Sequence, residues 1–82
     1  MDLEKRIEEL MEIIKKAKVK DAGKEVFELA IAYATDSLYF LKNGKRDEAL
    51  EAYSIAWAYI DALLHLGLVK VPRRFKKLFT VE

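Results

Sequence analysis

Asp61 and His65 are the residues whose types and spacing come nearest to catalytic chemistry. Four positions apart on a helix they share a face, and Ser54 and Trp57 extend the same line. A nucleophile–base pair needs a histidine beside a hydroxyl, with a third group to orient it. The simpler reading is an Asp–His pair near a helix C-terminus, where a positive imidazole is favoured. Zinc needs further ligands at a spacing that one histidine and scattered carboxylates do not supply.

A second group is Asp36 with Tyr33 and Tyr53. Asp36 and Asp61 are carboxylates inside otherwise apolar stretches. Such a group must find donors or stay wet. In a hairpin turning at Gly44, Asp36 lies opposite Ala52 and Tyr53, and Asp61 opposite Phe27 and Glu28. The Tyr53 hydroxyl is then the expected partner of Asp36, and Tyr33 or Lys24 can reach Asp61 or Glu28. Tyr33, Asp36, Tyr53, Asp61 and His65 therefore form either a polar pin that fixes helix register or an acidic, tyrosine-lined cleft.

The third group is the basic run Lys70, Arg73, Arg74, Lys76 and Lys77, with Phe75 and Phe79 interleaved and no acid between Ala62 and Val81. Cations with aromatics can follow a phosphate backbone and stack on unpaired bases. The alternative is a tail whose aromatics dock on the rest of the chain and whose charges face water.

These residues must be positioned by helices. Three Gly and one Pro in 82 residues leave too few turn formers for a many-stranded sheet. Leu3, Ile7, Leu10, Ile14 and Ala17 recur at helical spacing, with Asp2 as N-cap, which predicts a first helix over 2–19. Its acids lie early and its lysines late, which suits the helix dipole. Asp21 and Gly23 break the chain. A second helix over 22–42 is apolar around most of its circumference and is expected to be the central one. Asn43-Gly44 ends it, a third helix runs over 46–66, and Gly67 closes that one. The short connection makes helices two and three an antiparallel hairpin. Pro72 starts a short helix in the tail. The expected fold is all-α: a single domain over 1–82, a three-helix antiparallel bundle with a short basic C-terminal segment.

Composition excludes other classes. No cysteine means no disulfide framework and no thiolate ligand or nucleophile. The charged fraction is 35% and the net charge +1, so any polyanion binding must come from a local patch. No phosphate-cradling glycine loop is present. No cofactor or metal is expected. No run is apolar and long enough to span a membrane, and the first residues lack a signal-peptide core. The expected compartment is the cytoplasm. Glutamine is absent and Asn43 is the sole asparagine, a composition that leans towards a thermophile.

The stretch Tyr33–Val71 resembles a small archaeal helical family, domain of unknown function three-five-seven. The likeness rests on Tyr33-x-x-Asp36-Ser37, the Asn43-Gly44 turn, Ala49-Leu50, and the run through Ala56, Asp61 and Ala62 to Leu66-Gly67-Leu68. The family often carries glycine where this chain has Ala58. The resemblance implies a compact archaeal helical bundle and no activity, since the family's function is unassigned. The hairpin also looks like those of tetratricopeptide repeats and HEPN domains. Only one hairpin is present, so there is no repeat array. HEPN nucleases place an arginine a few residues before their histidine; the nearest one before His65 is Arg46.

No specific biochemical function follows from the sequence. The leading expectation is a non-enzymatic interaction module that self-associates or docks on a protein partner. An accessory nucleic-acid binder using the basic segment is the alternative, and an enzyme with an acidic, tyrosine-lined cleft is third.

Overall fold

The computed structural model describes residues 1–79; the last three residues of the basic segment lie outside the described part. Its elements in chain order are α1 (Leu3–Lys16), β1 (Lys18–Val19), a 3-10 turn (Asp21–Gly23), α2 (Lys24–Lys42), α3 (Arg46–His65), β2 (Val69–Lys70) and α4 (Arg73–Lys76). The fold is all-α and compact, with three long helices and one tiny ribbon.

Asp2 caps α1 by accepting a hydrogen bond from the Lys5 amide at 3.1 Å. The face that α1 buries is Leu3, Ile7, Leu10 and Ile13. Ile13, which with Met11 widens the expected stripe, is fully buried, whereas Ile14 is half-buried.

The C-termini of α2 and α3 close in the same way. Gly44 has φ +73° and Gly67 φ +70°. The Lys45 amide donates to the Phe40 carbonyl at 2.9 Å and the Gly44 amide to Leu41 at 3.2 Å. Leu68 and Gly67 repeat the pattern on Leu63 and Leu64. This pairing is the Schellman closure, and its left-handed residue favours glycine.

Helices α2 and α3 form the antiparallel hairpin, and α1 packs on both. Ala30, Ala34 and Ser37 on α2, and Ala49, Ala52 and Ala56 on α3, are all buried. Small side chains let helix axes approach closely. The Ser37 hydroxyl is satisfied within its own helix, donating to the Ala34 carbonyl at 2.6 Å.

The most buried helix is α3, not α2, although α1 packs mainly on α2. α3 buries Tyr53, Ile60, Leu63 and Leu64 besides its alanines. α2 leaves Leu29, Ile31 and Tyr39 exposed. The apolar circumference of α2 thus overstates its burial, because only α1 and α3 are available to cover it.

A second departure is the end of α1. The expected helix to residue 19 stops at Lys16, and Ala17 is already extended with φ −70° and ψ 147°. Lys18 and Val19 pair antiparallel with Lys70 and Val69. Val69 is buried and Val19 half-buried, so burial of two valines outweighs the helical preference of the lysine-rich end.

The basic tail docks. Val71, Phe75 and Phe79 are buried, and Phe79 stacks on Trp57 with ring centroids 4.3 Å apart and planes 12° apart. No described helix is long and apolar enough to cross a membrane.

Candidate functional site

The five residues of the expected polar group do not gather into one cluster. Tyr53 is buried on the α1 side of α3, near Arg6 and Glu9. Burial pushes its phenol above the ordinary value; Arg6 opposes the shift and Glu9 adds to it. Arg6, Tyr53, Ser54, Trp57 and Leu78 line a concavity of about 260 Å³ there. Asp36 is exposed on α2. Among the described residues no hydrogen bond joins it to Tyr53, so the expected hydroxyl–carboxylate contact is not made. The cause is rotational: Tyr53 turns towards α1 and Asp36 turns outwards. Asp36 therefore does not act as a buried register pin.

Asp61 and His65 do come together, with Nε2 of His65 at 3.7 Å from Oδ1 of Asp61. Asp61 is the more buried member, with its side chain 20% exposed against 50% for His65. Tyr33 instead meets Tyr59, with ring centroids 6.0 Å apart. Among the described residues no cluster of three or more His, Cys, Asp or Glu side chains could hold a metal ion.

The basic segment divides into two parts. Phe75 is buried and the Arg74 guanidinium lies 4.5 Å above its ring. Arg74 also donates to Glu12 of α1 at 3.2 Å. Glu12 accepts from Lys16 as well, at 2.8 Å. The hydrogen bond from Lys16 and its charge hold the Glu12 carboxyl below the ordinary range, with Arg74 adding less. Arg73, Lys76 and Lys77 are exposed. Lys70 belongs elsewhere, in the ribbon opposite Lys18.

What remains uncovered is the side of the α2–α3 hairpin away from α1. Leu29, Tyr33 and Phe40 follow one line of α2, and Ile55, Tyr59 and Leu66 one line of α3. Steps of four, seven and eleven keep residues on one helical face. The Tyr33–Tyr59 contact joins the two lines into one surface. Leu29 is 43% exposed and Leu66 70%, and the other four are half-buried. Asp36 completes the α2 line between Tyr33 and Phe40, a single carboxylate within an apolar stripe. A surplus of aromatic residues was legible in the sequence. Its location was not, because which side α1 covers is a tertiary fact.

Comparison with known proteins agrees with the fold. Among curated proteins none matches the chain. The crystal structure of protein AF1782 from Archaeoglobus fulgidus, itself assigned to the same family, is similar to this chain with a TM-score of 0.76. The two are 27% identical over 87% of this chain and 90% of the archaeal one. The family model described as a protein of unknown function, DUF357, matches residues 2–69. Spanning α1 through the start of β2, that match shows that the chain belongs to the DUF357 family, to which no biochemical function is assigned.

Proposed function

We propose that this chain is a non-enzymatic interaction module that pairs with a second copy of itself through the open face of the α2–α3 hairpin. The observation that carries this reading is the apolar, aromatic surface formed by Leu29, Tyr33, Phe40, Ile55, Tyr59 and Leu66. Helical layers are stable when each apolar face meets another layer. Here α1 supplies one layer and the other side has none. An 82-residue chain buries only about 60–65% of its unfolded surface, so a second hairpin laid across this face adds core that the monomer lacks. Tyrosine is common at such interfaces because its ring is apolar and its hydroxyl can stay wet.

The other readings have less support. Phe75 and Phe79 are buried, so the tail has no free ring on which a base could stack. Tyr33, Asp36, Tyr53, Asp61 and His65 do not line one concavity. Under the proposed reading the module works in the cytoplasm.

Light scattering over a rising concentration series tests the pairing. The expected mass approaches twice the chain mass of 9.5 kDa. Tyr59→Glu, which places a carboxylate on the face without emptying the core, should return it to the monomer mass. A constant mass of 9.5 kDa at every concentration would overturn self-association.

A further inference from the structure

We infer that the outer face of the β1–β2 ribbon is a binding surface for the phosphate backbone of a nucleic-acid strand. The inference is independent of the apolar face. It starts from a pairing that is unfavourable by itself: Lys18 and Lys70 are direct partners in the antiparallel ladder. Like charges directly opposite each other destabilise a sheet. Alternation puts Lys20 on the same side as Lys18, while Val19 and Val69 point inwards. The ribbon therefore has an apolar inner side and an outer side made of ammonium groups.

Lysine on an exposed strand edge also discourages pairing with other chains. One lysine suffices for that. Two in register add repulsion without further protection, whereas a bound anion turns the same repulsion into attraction.

The shape favours a linear anion. Lys18, Lys20 and Lys70 border a shallow concavity of about 220 Å³ that Val19, Gly67, Leu68 and Val69 also line, so the cations rim a largely apolar floor. A second one, also about 220 Å³, is lined by Lys16, Lys18, Lys70, Val71 and Pro72. The Lys18–Lys70 pair borders both, one concavity on each side of it. The nearby acids are already engaged. Glu12 is held by Lys16 and Arg74, and Asp21 lies 3.2 Å from Lys24. Lys18, Lys20 and Lys70 have no ion pair among the described residues.

A backbone is favoured over a membrane surface because the apolar side chains of the adjoining α4 segment, Phe75 and Phe79, are turned into the core. Interfacial binding needs an apolar stripe that inserts among lipids. Recognition through phosphates alone carries no sequence preference.

Fluorescence anisotropy with a labelled oligouridine, repeated at about 50 and about 200 mM salt, tests the inference. Three or four phosphate contacts on a single strand predict a loss of affinity of about 20- to 50-fold between those salts. The double variant Lys18→Gln, Lys70→Gln should weaken low-salt binding at least about tenfold and flatten the salt dependence. Its melting temperature should stay level or rise, since the opposed charges are gone, so lost binding cannot come from unfolding. Lys45→Gln, at the far hairpin turn, should bind like the parent. Absence of binding at low salt would overturn the inference. So would a double variant that binds like the parent, or binding confined to phosphatidylserine vesicles.

Discussion

Gly23 is the glycine at which an added carbon meets close neighbours. A Cβ there would sit 3.0 Å from the Leu68 Cβ and 3.3 Å from both Leu63 and the Leu68 carbonyl. Those neighbours belong to the α3 closure and the approach to β2, and neither can withdraw freely. Gly23→Ala should destabilise by about 1–3 kcal/mol, read as a lower urea midpoint with an unchanged slope. Asp36 is the contrasting case. Exposed and without a hydrogen bond among the described residues, it should tolerate Asn with a stability change within about 0.5 kcal/mol. The same Asp36→Asn substitution should tighten self-association, because it removes a carboxylate that pairing would desolvate. A melting curve and a dilution series on one sample separate the two effects. The identity of Asp36 as an unusual carboxylate was legible in the sequence. Its direction was not, since hairpin register says which residues are level with each other but not how each helix is rotated.

At the scale of elements, the three helices were legible because periodicity, an aspartate cap and two glycine closures agreed with one another. The ribbon was not read, although Lys18-Val19-Lys20 and Val69-Lys70-Val71 each alternate. Two residues are too short a run to stand out, and a two-stranded ribbon exists only where it packs on something larger. The tail's sequence is compatible with docking or display, and the tail docks. Phe79→Ala should remove the ring stacked on Trp57, lower stability by up to about 3 kcal/mol and red-shift the tryptophan emission. The attachment of the tail to α1 has a pH signature. Glu12 has a folded pKa below its ordinary 4.5, so its contribution is present above that value and is lost as the pH falls through the lower, folded one. Glu12→Gln should flatten the acid limb of a melting-temperature profile, and high salt should have a similar effect on so exposed a group.

For the whole molecule, the near-neutral net charge conceals two surfaces of opposite character. The open side of the hairpin is apolar around Tyr33 and Tyr59, with Asp36 within it and Glu25, Glu48 and Glu51 towards its ends. The ribbon and the adjoining α1 end are cationic. The two proposed surfaces share no residue, although Leu66 of the first directly precedes Gly67 of the second. A single chain could engage a second copy and a polyanion together. Substitutions on one surface should therefore leave the other's measurement unchanged: Tyr59→Glu should retain the salt-dependent anisotropy signal, and the Lys18/Lys70 double variant should retain the concentration-dependent mass.

The ribbon also sets the order in which the molecule can assemble. α2 and α3 are joined by a turn of a few residues and can meet at once, whereas Val19 finds Val69 only after the intervening hairpin has folded back on itself. Contacts between distant parts of a chain carry the larger closure entropy. The hairpin is thus the early, slowly exchanging unit, and the ribbon is the latch that retains α1 on it. In hydrogen exchange the amide protons of Ala52–Leu63 should be the last to be lost. Those of Lys20, which donates to the Leu68 carbonyl, and of Lys70 should open sooner, and together.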